Sequence, residues 1–266
     1  MPARWAEPEL AVARDGPLPY LVEHWYLGPR TRRYMIVRRF REVLEHAELA
    51  PGLRVLDLGC GWAYGCWWAR ARGCEVWGVD LERDQLAWAR GGLPGGAALR
   101  LVQANVKQLP FPDRSFDRVV SVEMLEHVFR PDRPAAFAEM ARVLRPGGRL
   151  ALSTPNPASP VEAVKRLAVR WPALRRRLPS GCMPEAEDIL DRYHPYRYHH
   201  PIPLAGLERE LAGAGFEVLG RRRFLWVPKT LPPALLPAAR GLEAALEGLP
   251  LVRRLGATSL VWARRR

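Results

Sequence analysis

Arg54–Asp80, RVLDLGCGWAYGCWWARARGCEVWGVD, decides the fold. A short apolar strand, Val55–Leu58, runs into Gly59-Cys60-Gly61. A helix-compatible stretch follows, and a second strand, Glu75–Val79, ends at Asp80. This is a βαβ unit with a glycine turn at the tip of its first strand and a carboxylate at the tip of its second. Such a unit suits an adenosine-bearing cofactor: the glycines let the backbone approach the ligand, and Asp80 can accept hydrogen bonds from ribose hydroxyls. A dinucleotide fingerprint would need a further glycine at position 64, where Tyr64 stands; Gly65 comes one residue late.

The alternation continues on both sides. Residues 53–153 read as strands at Leu53–Leu58, Glu75–Val79, Leu99–Gln103, Arg118–Val122 and Arg149–Ser153. Helices at Tyr64–Arg72, Arg83–Arg90 and Arg133–Leu144 separate them, the last stopped by Pro146-Gly147-Gly148. The strands are short, β-branched and apolar on both faces, as a buried parallel sheet requires. Strands alternating with helices predict right-handed crossovers, a doubly wound α/β sheet and a ligand beyond the carboxyl ends of the strands. Upstream, Thr31–Leu49 has helical apolar spacing (Met35, Ile36, Phe40, Val43, Leu44) with arginines between. Downstream, Leu204–Ala214 reads as a helix, and Phe216–Leu219 and Leu260–Ala263 as two late strands. Between these, Leu235, Ala239, Leu242, Leu246 and Leu249 form one apolar helical face.

The chain has 266 residues, 48% of them hydrophobic, which is ample for a core. Its four cysteines include no C-x-x-C pair, which points to a reduced, cytoplasmic setting. The first residues lack the apolar core of a signal peptide, and no apolar run is long enough to span a membrane. The net charge is +13. Almost all of the basic side chains are arginine, which with 26 prolines indicates a general compositional bias. The charge is still uneven, because residues 221–266 are strongly basic.

VLDLGCG, then GVD, LPFPDRSFDRVVSVEMLEHV and VLRPGGRLALSTPN together resemble class I S-adenosylmethionine-dependent methyltransferases, of the ubiquinone-pathway-like branch. The likeness runs in register over about residues 50–156 and extends loosely to HHPIPLAGLERELAGAGFEVL. Upstream, EHWYLGPRTRRYMIVRRF resembles an aromatic and arginine-rich helix found in one bacterial branch. The resemblance implies a doubly wound, seven-stranded, mainly parallel sheet with an antiparallel last strand. It implies an N-terminal helical or lid segment (1–50), an S-adenosylmethionine-binding core (51–156), a lid or substrate insertion (157–203) and a C-terminal completion of the sheet (204–266).

The same resemblance assigns residues. Asp57 stabilises the methionine amino group, Gly59 and Gly61 lie against the methionine portion, and Asp80 takes the ribose hydroxyls. Leu81 and Val106 pack on the adenine faces. Asn105 stands where the family usually has Asp, and its side-chain oxygen still accepts from the adenine amino group. Glu123 completes the cofactor set. Glu123 and His127 are the catalytic candidates, with His127 as the base that takes an acceptor proton. In ubiquinone-pathway relatives the residues matching Glu123, Glu126 and His127 are linked to a divalent cation; many relatives carry the same pattern without metal, and no metal is expected here. Three- and four-residue spacing would put these groups on one side of a helical turn.

The Tyr193–His200 cluster is expected to border the acceptor pocket. Trp25, Tyr26 and Arg30 either close over the cofactor or anchor the N-terminal helix. Trp62, Trp67 and Trp68 read as helix-on-sheet packing. Ser121-Val122-Glu123-Met124 lacks the Asp/Asn-Pro-Pro-aromatic pattern of base N-methyltransferases, and no cysteine follows a proline. Nucleic acid is therefore disfavoured, and a small, lipophilic or quinone-like acceptor is expected. The alternatives are an RNA methyltransferase using the basic C-terminal region, or a regulatory protein that binds S-adenosylmethionine without transfer. The 235–249 helix is expected to cover the sheet, with peripheral contact to an anionic membrane as the rival reading.

Overall fold

The computed structural model describes residues 18, 19, 21–171 and 200–266. A π-helical turn, Leu21–Tyr26, leads into α1 (Arg30–His46). Then follow β1 (Arg54–Leu58), α2 (Tyr64–Arg70), β2 (Glu75–Asp80), α3 (Arg83–Gly92), β3 (Arg100–Gln103) and β4 (Phe116–Val122). The order continues with α4 (Arg133–Val143), β5 (Leu144–Pro155), α5 (Pro160–Arg170), α6 (Leu204–Gly213), β6 (Phe216–Phe224), α7 (Leu236–Gly248) and β7 (Thr258–Arg265). The strands form one seven-stranded sheet, ordered β3-β2-β1-β4-β5-β7-β6. All are parallel except β7, which runs antiparallel to both β5 and β6.

Strand residues alternate between two cores. Val55 and Val120 join the side chains of α1, α2 and α3 in one apolar cluster. Leu56, Leu58 and Val119 join Phe137 and Met140 of α4 and Leu207 and Leu211 of α6 in the other. Both faces of the central strands are thus buried, which is why they read as continuous apolar runs. Trp62, Trp68, Tyr64 and Tyr26 are also buried, with Trp62 stacked on Tyr64 at 4.9 Å between ring centroids. Trp67 and Trp68 lie on α2 in the cluster that includes Val55 and Val76, whereas Trp62 precedes α2 and packs on Tyr26, Tyr64 and Trp88. Tyr26 takes a hydrogen bond from Arg33 Nη2 (3.0 Å) and fixes the start of α1.

The three late strands run longer than expected, β7 by two residues at each end. β5 starts at Leu144 and carries Pro146-Gly147-Gly148 within it. Gly147 adopts φ 74°, and the pairing with β4 shifts register between Phe116 and Arg118. The glycine turns the triplet into a bulge rather than a break. β6 continues through the arginines 221–223 to Phe224, with a register shift between Val218 and Gly220. Its charged side chains are those of an edge strand.

α7 corrects the expectation that its leucine face covers the sheet. Leu235, Leu242 and Leu249 are exposed, whereas Glu243 is 1% exposed. Glu243 receives hydrogen bonds from Tyr34 Oη, Arg38 Nη1 and the backbone N–H groups of Trp226 and Val227. Glu247 takes two from Arg38 Nη2 (2.8 and 2.7 Å) and one from Arg222 Nη2 (2.7 Å). The helix is therefore held against α1 by charge and not by its apolar stripe.

Candidate functional site

The predicted site residues gather at the carboxyl edge of the sheet. At the tip of β1, Gly59, Gly61 and Ala63 all have left-handed φ (70°, 51° and 61°). The N–H groups of Gly59 and Cys60 donate to Val79 O (2.8 and 3.0 Å), which bends the chain back over β2. A Cβ at Gly59 would collide with Met124 Cγ, so the loop after β4 lies directly on the glycine loop.

Asp80 is tied to that loop. Its Oδ2 accepts from Gly61 N (2.7 Å) and its Oδ1 from Glu82 N (2.9 Å). Burial raises its pKa, while these backbone donors oppose the rise. Each oxygen retains acceptor capacity for a hydroxyl partner. Leu81 beside it is 46% exposed, a large apolar side chain without full cover. The β3 tip comes alongside: Ala104 N donates to Asp80 O (3.1 Å) and Gln103 Nε2 to Leu81 O (3.0 Å). Asn105 is exposed, and its Oδ1 already accepts from Lys107 N (3.0 Å) in a local turn. Val106 is half-buried against the second core.

Asp57 lies deeper, at 2% exposure. Its carboxyl is pushed up to about 7, chiefly by burial; the contact from Cys66 Sγ (3.5 Å to Oδ2) opposes this and the nearby Asp80 charge adds to it. A Cβ at Gly65 would sit 2.5 Å from Asp57 Oδ2 and 2.9 Å from Phe40 Cε1. That glycine is needed to admit a carboxylate and a ring, a role unrelated to any dinucleotide fingerprint.

Glu123, Glu126 and His127 do not share one face of a helical turn. Only Leu125–His127 form a turn, of the 3-10 type. Glu123 precedes it at φ 52°, a strained value for a non-glycine residue. Its carboxylate points to Arg39 Nη2 (3.4 Å). Glu126 turns inward at 1% exposure and accepts from Thr154 Oγ1 (3.2 Å). Burial first, then the Glu123 charge, raises the Glu126 pKa well above the ordinary carboxylate range. Its backbone carbonyl accepts from His200 N (2.8 Å). Among the described residues, no three His, Cys, Asp or Glu side chains are placed to hold a metal ion. The other residues of the Tyr193–His200 cluster lie outside the described residues, as does the Trp25 side chain.

Arg39 was missed by sequence reasoning. It is half-buried, bonds Thr258 Oγ1 through Nε (3.2 Å) and pairs with Glu123, linking α1 to the tips of β4 and β7. Nothing local marks it out among the arginines of RTRRYMIVRRF.

A sheet of this order, with glycine loop and acid at its carboxyl edge, defines the class I S-adenosylmethionine-dependent methyltransferase fold. An S-adenosylmethionine-dependent methyltransferase from Mesorhizobium loti shares that fold, with a TM-score of 0.57 at 24% identity, over 85% of this chain and 98% of that one. Residues 56–152 match the methyltransferase domain family, and the chain carries a domain of this class there. The methyltransferase GfsG of Streptomyces halstedii is 40% identical over 122 residues, 44% of this chain and 42% of that protein. The ubiquinone biosynthesis O-methyltransferase of Hahella chejuensis is 37% identical over 117 residues, 43% of this chain and 48% of that protein. The chain thus spans less than half the length of these curated relatives.

Proposed function

We propose that this protein transfers a methyl group from S-adenosylmethionine to a small, lipophilic acceptor. The observation that carries the cofactor reading is the Gly61 N–Asp80 Oδ2 hydrogen bond at 2.7 Å. It sets the bend of β1 against the acid of β2, with exposed Leu81 beside them. The residues fit the cofactor. Asp80 keeps lone pairs for two ribose hydroxyls. Leu81 and Val106 offer apolar faces for adenine. Asn105 would accept from its amino group through Oδ1, which also serves the local turn. Asp57 faces the methionine end, where an ammonium group would hold its carboxylate ionised. Gly59 and Gly61 leave the backbone bare for close approach.

When bound, the cofactor supplies a methyl carbon activated by a sulfonium leaving group. The protein's part is alignment, exclusion of water and proton management. His127, on the turn after β4, is the group proposed to take the acceptor proton. Glu123 is clamped by Arg39, and in this reading it positions the loop. The O-methyltransferase relative from Hahella chejuensis supports a small hydroxylated acceptor. No described helix is long and apolar enough to cross a membrane.

Calorimetry with S-adenosylmethionine tests the reading. Wild type is expected to bind, and Asp80→Ala to lose at least ~10-fold in affinity, about one charge-assisted hydrogen bond. Unchanged affinity in the variant, or preference for a dinucleotide, would overturn it.

A further inference from the structure

The β6–β7 connection, residues 225–257, presents an unusual surface. It has only two acidic side chains, Glu243 and Glu247, and both turn inward to Arg38 and Arg222. What it turns outward is apolar and cationic. Leu235, Leu242 and Leu249 are 53%, 62% and 50% exposed, at a seven-residue spacing that stacks them along one side of α7. Leu251 and Leu255 follow at 74% and 42%. Arg253 and Arg254, between Leu251 and Leu255 in the chain, are exposed as well.

Its position in the fold matters as much as its chemistry. β6 ends and β7 begins at the carboxyl edge of the sheet, where Phe224 pairs with Thr258. The connection therefore stands on the same side as Gly59 and Asp80. Scattered exposed apolar side chains need no explanation, but Leu235, Leu242, Leu249, Leu251 and Leu255 on one connection mark a contact surface.

We propose that this edge docks on an anionic phospholipid bilayer, with the leucines of 235–255 entering the headgroup boundary and the arginines binding lipid phosphates. A helix and following turn with apolar side chains outward, exposed cations in the turn and the helix's acids turned inward have the make-up of an interfacial segment. A second copy of the chain fits less well, since a twofold contact would bring two such cationic patches together without acids on this surface to pair them. The inference does not rest on the methyl-transfer reading. It sets the carboxyl edge of the sheet, which carries Gly59 and Asp80 as well, toward the lipid.

The test is co-sedimentation of the full chain, without cofactor, with vesicles of phosphatidylcholine alone or mixed with phosphatidylglycerol. Binding to the mixed vesicles, at least ~10-fold weaker on neutral ones and reduced by salt, is expected. A Leu242→Glu, Leu249→Glu double variant should lose at least ~10-fold in partitioning. Arg253→Glu with Arg254→Glu should lose ~10-fold or more, from about fivefold per lost cation. Thermal unfolding and S-adenosylmethionine binding should stay at wild-type levels, because all four side chains are outside the core and the cofactor site. Absence of vesicle binding, equal binding by the leucine variant, or a leucine variant that only turns a dimer into a monomer in sedimentation velocity would each overturn the proposal. If vesicle binding persists while cofactor binding fails, the methyl-transfer reading falls and this one stands.

Discussion

Asp57→Asn tests whether the acid beneath the glycine loop is a buried proton holder. In the folded protein Asp57 is 2% exposed and its carboxyl is pushed up to about 7, chiefly by desolvation. In the unfolded chain an aspartate titrates near ~3.9. Below both values Asp57 is neutral in each state and carries no ionisation penalty. As pH rises through the interval, the unfolded state ionises first, so the folded state loses ground. Above about 7 both states are ionised and the loss stops growing. Roughly three pH units of separation correspond to on the order of 4 kcal/mol. Asn cannot titrate, so the stability of wild type minus that of Asp57→Asn should fall by about this amount between pH ~4 and ~7, then level off. Urea unfolding of both proteins at stepped pH measures the difference, and the other titrating groups largely cancel. A difference that is flat across the interval would refute the assignment. The cofactor offers a second readout. An ammonium group beside Asp57 would draw out its proton, so the binding enthalpy of wild type near pH ~6 should depend on the buffer's ionisation enthalpy. That of Asp57→Asn should depend on it much less.

Other outcomes follow from the contacts. Glu243→Ala leaves Arg38, Tyr34 and two backbone donors without their shared acceptor. It should destabilise by about 3–5 kcal/mol in urea unfolding; a change under about 1 kcal/mol would show that this ion pair does not hold α7 in place. Gly59→Ala combines a left-handed φ of 70° with a collision against Met124. Affinity for S-adenosylmethionine should drop at least ~10-fold. Adding Met124→Gly, which removes both Cγ and the Cβ at 2.6 Å, should recover only the steric part, and full recovery would mean that the φ carries no cost. Gly65→Ala should weaken both stability and cofactor binding, since its methyl group would meet Asp57 Oδ2 at 2.5 Å.

The sheet was legible because its strands are apolar on both faces and are bounded by glycine, proline or charge. The expected and observed limits of β1 through β4 differ by at most two residues at either end. The pairing of Gly61 with Asp80 was legible too, because a βαβ unit leaves the tips of neighbouring strands side by side. Elsewhere the local pattern was read correctly and its partner was not. Pro146-Gly147-Gly148 is a turn signal, but pairing with β4 on one side and β7 on the other keeps the chain extended beyond it. Glu123, Glu126 and His127 have helical spacing, yet the left-handed backbone at Glu123 sends the two carboxylates apart, one to Arg39 and one to Thr154. α7 shows the limit most clearly. Helical periodicity tells which residues share a face but not which face turns inward. The choice was made by Arg38 and Tyr34, more than 200 residues upstream. Burying a carboxylate on a guanidinium, a phenol and two peptide N–H groups is tolerable only when every acceptor position is used, and here that requirement outweighs the burial of three leucines. A hydrophobic stripe is therefore evidence for an inward face only where no buried ion pair competes for the same helix. In this chain the leucines that lost that competition are the ones left facing out on the β6–β7 connection.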